Sequence, residues 1–112
     1  MPKLSLVLGR RTLNVFELDQ PRIRIGRLPE SEITIDNVSV SREHAEIFRT
    51  ADGWGVRDMG SANGTYLNGD RLEGDQPVKE GDEISIGKFS IFFEKIVGEA
   101  SQTPTRSSVT SE

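Results

Sequence analysis

Residues 84–96 read Ile84-Ser85-Ile86-Gly87-Lys88-Phe89-Ser90-Ile91-Phe92-Phe93-Glu94-Lys95-Ile96. Ile84 and Ile86 alternate with polar neighbours, and the run from Phe89 to Ile96 is the most apolar of the chain. A repeat of two sends successive side chains to opposite faces of an extended strand, whereas a helical face needs about 3.6 residues per turn. The same period recurs upstream. Leu4, Leu6 and Leu8 fall on one face of a first strand, Phe16 and Leu18 on one face of a second. Ile23 and Ile25 mark a third, and Ile33 and Ile35 a fourth. Ala45 and Ile47 alternate with His44, Glu46 and Phe48, and Trp54 and Val56 follow the turn dipeptide Asp52-Gly53.

Between these runs lie Asp19-Gln20-Pro21, Pro29-Glu30-Ser31, Asn63-Gly64, Asn68-Gly69 and Glu80-Gly81-Asp82. Each supplies positive φ or a proline-fixed turn, and Asn68-Gly69 fits a type I′ hairpin. No stretch sustains a capped helical face, and no internal repeat is present. Many short strands with regular punctuation predict an all-β fold, an antiparallel β-sandwich.

With 112 residues and 34% hydrophobic content, the chain has room for one modest core. The folded domain is expected over residues 3–97. Residues 98–112 are rich in Ser and Thr and nearly free of large apolar side chains. They cannot bury enough surface to offset their ordering entropy, so a disordered tail or the start of a linker is expected there. The N-terminus has neither a signal-peptide pattern nor a membrane-spanning run. No cysteine is present, which removes disulfides and thiolate metal sites and suits a reducing, cytoplasmic setting. The single histidine cannot build a zinc site alone, and no cofactor is expected.

The net charge of −4 argues against broad nucleic-acid binding. Arginine outnumbers lysine ten to four. Its planar guanidinium grips oxyanions in bidentate fashion, although most of these arginines are expected to do no more than solvate strand faces. Arg27 and Arg42 stand apart. They belong to three clusters, each placed where a strand pattern breaks into a loop: Gly26-Arg27, Ser41-Arg42-Glu43-His44 and Ser61-Ala62-Asn63-Gly64-Thr65. Two guanidiniums, a serine hydroxyl and an asparagine amide form a plausible receptor for one phosphate, and loops on a rigid sheet are where recognition residues concentrate.

Catalysis fits less well. Ser41 and His44 are three apart, but no third group is evident and no nucleophile-elbow glycines surround the serine. The stretch Gly60 to Gly64 lacks the Lys-Ser/Thr ending of a nucleotide loop. The chain is therefore expected to be a binding module rather than an enzyme.

Gly26-Arg27, Ser41-Arg42-Glu43-His44-Ala45, Asn63-Gly64-Thr65 and Asn68-Gly69, in this order and with strand-like segments between them, resemble the forkhead-associated (FHA) domain family from about Leu4 to Ile96. The resemblance implies an eleven-stranded β-sandwich that binds phosphothreonine peptides through loops at one end, in Ser/Thr kinase signalling. It implies that Arg27 and Ser41 contact the phosphate, that Arg42 supplies a further contact, and that Asn63 holds the peptide main chain. His44 would brace the loops, and Gly26 and Gly64 would supply backbone shapes that side chains disfavour. Ala62 departs from the family, which often has a ligand-holding Thr or Ser there. Ser39 departs too, standing where some members read an acidic residue three positions after the phosphothreonine.

The expected partner is a phosphothreonine-containing protein, with a kinase or its substrate as a candidate and no nucleic acid or membrane. A monomer is expected, because nothing in the pattern announces a long exposed apolar strand. The competing reading is a phosphate-independent assembly scaffold. Thr103, Thr105 and Thr110 raise a further possibility, that a phosphorylated tail fills the domain's own pocket.

Overall fold

Alternating apolar residues become strands where one face of the run can be buried, and eleven strands form among the described residues, including short ones such as the exposed pair Asp70–Arg71 that are held by pairing alone. A computed structural model describes residues 2–96; the tail with Thr103, Thr105 and Thr110, and the boundary at residue 97, lie outside the described residues. The strands are β1 (Pro2–Leu8), β2 (Arg11–Glu17), β3 (Arg22–Gly26), β4 (Ile33–Thr34), β5 (Ala45–Arg49) and β6 (Trp54–Asp58). They continue with β7 (Thr65–Leu67), β8 (Asp70–Arg71), β9 (Gln76–Val78), β10 (Glu83–Ile86) and β11 (Phe89–Ile96). One sheet has the order β2-β1-β11-β10-β7-β8 and the other β4-β3-β5-β6-β9. The fold is an all-β sandwich.

The segment 84–96 forms the β10–β11 hairpin, with Ile84 opposite Ile91 and Ile86 opposite Phe89. β11 then pairs along the whole of β1. Leu4, Leu6, Ile84, Ile86, Ile91 and Phe93 from this sheet are buried with Ile23, Ile25, Ala45, Ile47, Trp54 and Val56 from the other. Trp54 packs against Phe93, ring centres 6.3 Å apart, and so belongs to the core. Asn68 (φ 52°) and Gly69 (φ 90°) turn β7 into β8 with two successive positive φ angles, as a type I′ turn requires.

Four local expectations differ. Leu8 is not buried like Leu4 and Leu6: it is 40% exposed at the end of β1, although its backbone pairs with Phe89 on one side and Arg11 on the other. Phe16 and Leu18 are only half-buried, because β2 is an edge strand. Leu13 and Val15 on that edge are 43% and 46% exposed, so a seven-residue edge strand with exposed apolar side chains does exist. Periodicity reports that a segment is a strand, not whether a neighbour covers it. Finally, β4 is two residues long and pairs with β3 in parallel, so one ladder departs from the antiparallel rule.

Candidate functional site

The first loop is joined to the second by close backbone contact at Gly26. A Cβ there would lie 2.1 Å from the carbonyl oxygen of Arg42 and 3.2 Å from that of Ser41, so only glycine fits. Two backbone hydrogen bonds close the seam, Arg27 N–H to Ser41 O (3.1 Å) and Leu28 N–H to Arg42 O (3.4 Å). Arg27 and Ser41, fourteen positions apart in sequence, are thereby neighbours.

His44 ties this pair to the third loop. It is fully buried; its Nδ1 accepts the Ser41 N–H at 3.0 Å, and its Nε2 lies 2.9 Å from Gly64 O. A ring nitrogen that accepts a hydrogen bond carries no proton, so these partners assign the proton to Nε2, which donates to Gly64. Ser41 Oγ accepts the Ala62 N–H at 2.9 Å. That bond uses an oxygen lone pair and leaves the hydroxyl proton free to donate outward.

The third loop is built on Asp58, a residue the sequence reading passed over. Its carboxylate accepts the N–H groups of Gly60 (2.9 Å) and Ser61 (3.0 Å) and the hydroxyls of Ser61 and Thr65. Burial pushes the Asp58 carboxyl up, but the hydrogen bonds from Ser61, Thr65 and Gly60 outweigh it and hold the group below its ordinary value. The signal was legible in principle: an Asp followed two and three residues later by Gly and Ser is an Asx-type turn. Ser61 is committed to this turn, since its oxygen also accepts Gly64 N–H at 2.9 Å, and it cannot replace the hydroxyl that Ala62 lacks.

Asn63 Nδ2 donates to Ser39 O at 3.0 Å, which leaves Oδ1 with no hydrogen bond among the described residues. Ser39 is itself occupied, its hydroxyl donating to Asn37 Oδ1 at 2.7 Å. Gly64 has φ +85°, and a Cβ there would lie 3.1 Å from Arg71 Cζ. Its missing side chain is the space in which the Arg71 guanidinium rests, a second role that sequence alone did not reveal.

The structure thus brings Gly26, Arg27, Ser41, Arg42, His44, Asn63 and Gly64 to one rim. Arg27, Arg42 and Asn63 are exposed, Ser41 is half-buried, and Gly26, His44 and Gly64 are buried beneath them. Neither the Arg27 nor the Arg42 side chain has a hydrogen bond or ion pair among the described residues. No group of three or more His, Asp or Glu side chains that could hold a metal occurs among those residues. Nor does any helix among them have the length and apolarity to cross a membrane.

Comparison with known proteins agrees with this architecture. The chain is 52% identical over 79 residues to the oxoglutarate dehydrogenase inhibitor of Corynebacterium efficiens, covering 70% of this chain and 54% of that protein. It is 40% identical over 95 residues to the glycogen accumulation regulator GarA of Mycobacterium tuberculosis, covering 82% and 58%. The chain therefore spans about half the length of the curated relatives it matches. Among solved structures it resembles Mycobacterium tuberculosis EmbR in complex with a low-affinity phosphopeptide, with a TM-score of 0.76 and 28% identity over 89% of this chain and 26% of EmbR. The FHA domain family matches residues 23–87, more than half of the chain, and the protein belongs to that family.

Proposed function

We propose that the protein is a phosphothreonine-peptide-binding module of Ser/Thr kinase signalling, in which Arg27, Ser41 and Arg42 hold the phosphate and Asn63 holds the peptide main chain. One observation carries this reading. Arg27, whose backbone N–H donates to Ser41 O, and Arg42, next to Ser41 in the chain, are exposed with no side-chain hydrogen bond or ion pair among the described residues. The Ser41 hydroxyl keeps its proton free because its oxygen accepts the Ala62 N–H. A phosphothreonine brings roughly −1.5 to −2 charges and three strong acceptor oxygens, the complement of such a donor set. Hydrogen bonds to a charged group contribute about 1.5–3 kcal/mol each. A few of them, less the cost of ordering an extended peptide, leave affinity near micromolar, about −8 kcal/mol. The EmbR relative, solved with a phosphopeptide, supports the same reading.

Asn63 fits its role because Ser39 O fixes its Nδ2 and turns Oδ1 toward any passing backbone N–H. Gly26, His44 and Gly64 act beneath the ligand, keeping three loops in register. The module acts by binding, with no catalytic step of its own. We assign it to the cytoplasm, with phosphorylated proteins and not nucleic acid as its partners.

An oriented phosphothreonine peptide library, paired with the unphosphorylated library, tests the proposal. Selective retention of phosphorylated sequences is expected, with threonine preferred over serine. Equal retention of both libraries would favour an assembly scaffold and refute the phosphate-binding role.

A further inference from the structure

Four strands end the two sheets among the described residues: β2 and β8 in the first, β4 and β9 in the second. β4 and β8 are two residues long. β9 has three residues with Pro77 at its centre, which has no N–H to offer a neighbour. Short length and proline are common protections of a sheet edge against pairing with another chain. β2 has seven residues and no proline. Apolar surface gathers on the same hairpin: of the five large apolar side chains exposed among the described residues, Leu8, Leu13 and Val15 lie on β1 and β2. Its charges are segregated too. Arg10 and Arg11 stand at one end, Glu17 at the other, and none of the three has an ion pair among the described residues. The monomer expected from the sequence rested on the lack of a long exposed apolar strand, and β2 is such a strand.

We propose that the β2 edge is an interface between two copies of this chain, paired antiparallel about a two-fold axis. This does not depend on the phosphopeptide reading. Charge selects both the occupant and its direction. In an antiparallel pair, Arg10 and Arg11 of each copy face Glu17 of the other, so opposite charges meet at both ends. Leu13 and Val15 of the two strands come together between them and leave water. A parallel pair would set one basic end against the other. Two features keep the pairing weak and reversible. The Val15 N–H already donates to Asn14 Oδ1 at 2.9 Å, a bond that an incoming carbonyl must displace. The register of β2 on β1 also shifts between Leu6 and Val7, which interrupts the regular edge. A dissociation constant on the order of 10–100 μM is expected from a single strand pair. The loop that carries Asn63 leads into β7, four strand spacings or roughly 19 Å from β2, so both rims of the dimer stay open.

Sedimentation velocity of the full chain, from about 5 to about 500 μM, tests the proposal. A monomer–dimer equilibrium is expected in the wild type. Val15→Lys, which places a charge in the middle of the edge, should weaken it at least about tenfold. Glu17→Arg alone, or Arg10→Glu with Arg11→Glu, should weaken it at least about fivefold. All three reversals together should return it to within about threefold of the wild type, a rescue that a misfolded variant would not show. A wild type that stays monomeric at about 500 μM overturns the proposal and leaves the edge to a strand from another protein. A dimer that Val15→Lys does not weaken is built on another surface and overturns it as well. So does a dimer that the combined reversal fails to restore, because antiparallel pairing makes that exchange neutral.

Discussion

Arginines on the face of the second sheet and arginines at the loop rim live in opposite circumstances. On the sheet, Arg22 Nε meets Glu46 at 2.8 Å, Arg24 grips Glu32 at 2.9 Å, and Arg57 reaches Glu46 at 3.7 Å and Asp75 at 3.3 Å. Arg57 also lies 4.1 Å above the Phe48 ring. At the rim, Arg27, Arg42 and Arg71 have no carboxylate partner among the described residues. The protein supplies the counter-charge where arginine holds the fold together and, on the proposed function, leaves it to the ligand at the rim. Glu46 marks the difference most sharply: it is 1% exposed, and removing a neighbouring cation leaves a buried carboxylate short of its partners.

The contrast separates into two sets of outcomes. Arg27→Ala is expected to weaken phosphopeptide binding at least about a hundredfold, the equivalent of about 2.7 kcal/mol, with little change in stability. Arg57→Ala should do the reverse, lowering stability by about 1–3 kcal/mol in chemical denaturation while binding survives. Anisotropy and denaturant titrations on both variants check the pair. Gly26→Ala joins the two properties, because the added Cβ would strike the Arg42 carbonyl and part the loops. It should lose about 1–3 kcal/mol of stability and most of the binding together.

Acidity separates the regions as well. Hydrogen bonds from Arg24 hold the Glu32 carboxyl down at about 2 against the opposing effect of burial. A depressed carboxyl stabilises the fold above its unfolded pKa and ceases to do so as pH falls through its folded value. The wild type should therefore lose stability between about pH 4.5 and about pH 2, and Glu32→Gln should flatten that part of the curve. As pH falls, binding at the rim should weaken before the fold does, near about pH 6, where the phosphate dianion takes up a proton. Stability and affinity measured across the same pH series check both midpoints. The smallest effect expected is a gain: Ala62→Thr restores a hydroxyl beside Ser41 and should tighten binding about fivefold, measured by anisotropy.

Much of this was legible beforehand because strand periodicity and turn chemistry are local. Ile84 to Ile96 announces a hairpin in its own residues, and Asn68-Gly69 announces its turn. The three clusters were visible as clusters, since Gly-Arg, Ser-Arg-Glu-His and Asn-Gly-Thr each sit at the end of a strand pattern. What stayed hidden depends on partners far along the chain. Glu46 looks like a solvated strand residue until Arg22 and Arg57 close over it. Leu13 and Val15 look coverable until β2 proves to be an edge. Arg71 reads as one more hairpin cation, because its contact with Gly64 exists only after the β7–β8 turn folds it back. Residue type and loop position could group Arg27 with Ser41 as donors for one phosphate but could not show how they meet, whereas the fold joins them through the space that Gly26 leaves open.

Backbone amide shifts of the isotope-labelled protein, recorded while a library-selected phosphothreonine peptide is titrated in, test the central claim most directly. The account expects large changes at Arg27, Ser41, Arg42, Asn63 and Gly64, little change at Arg22, Glu46 and Arg57, and none with the unphosphorylated peptide. Changes centred on Arg22, Glu46 and Arg57, or the same changes with both peptides, would contradict it.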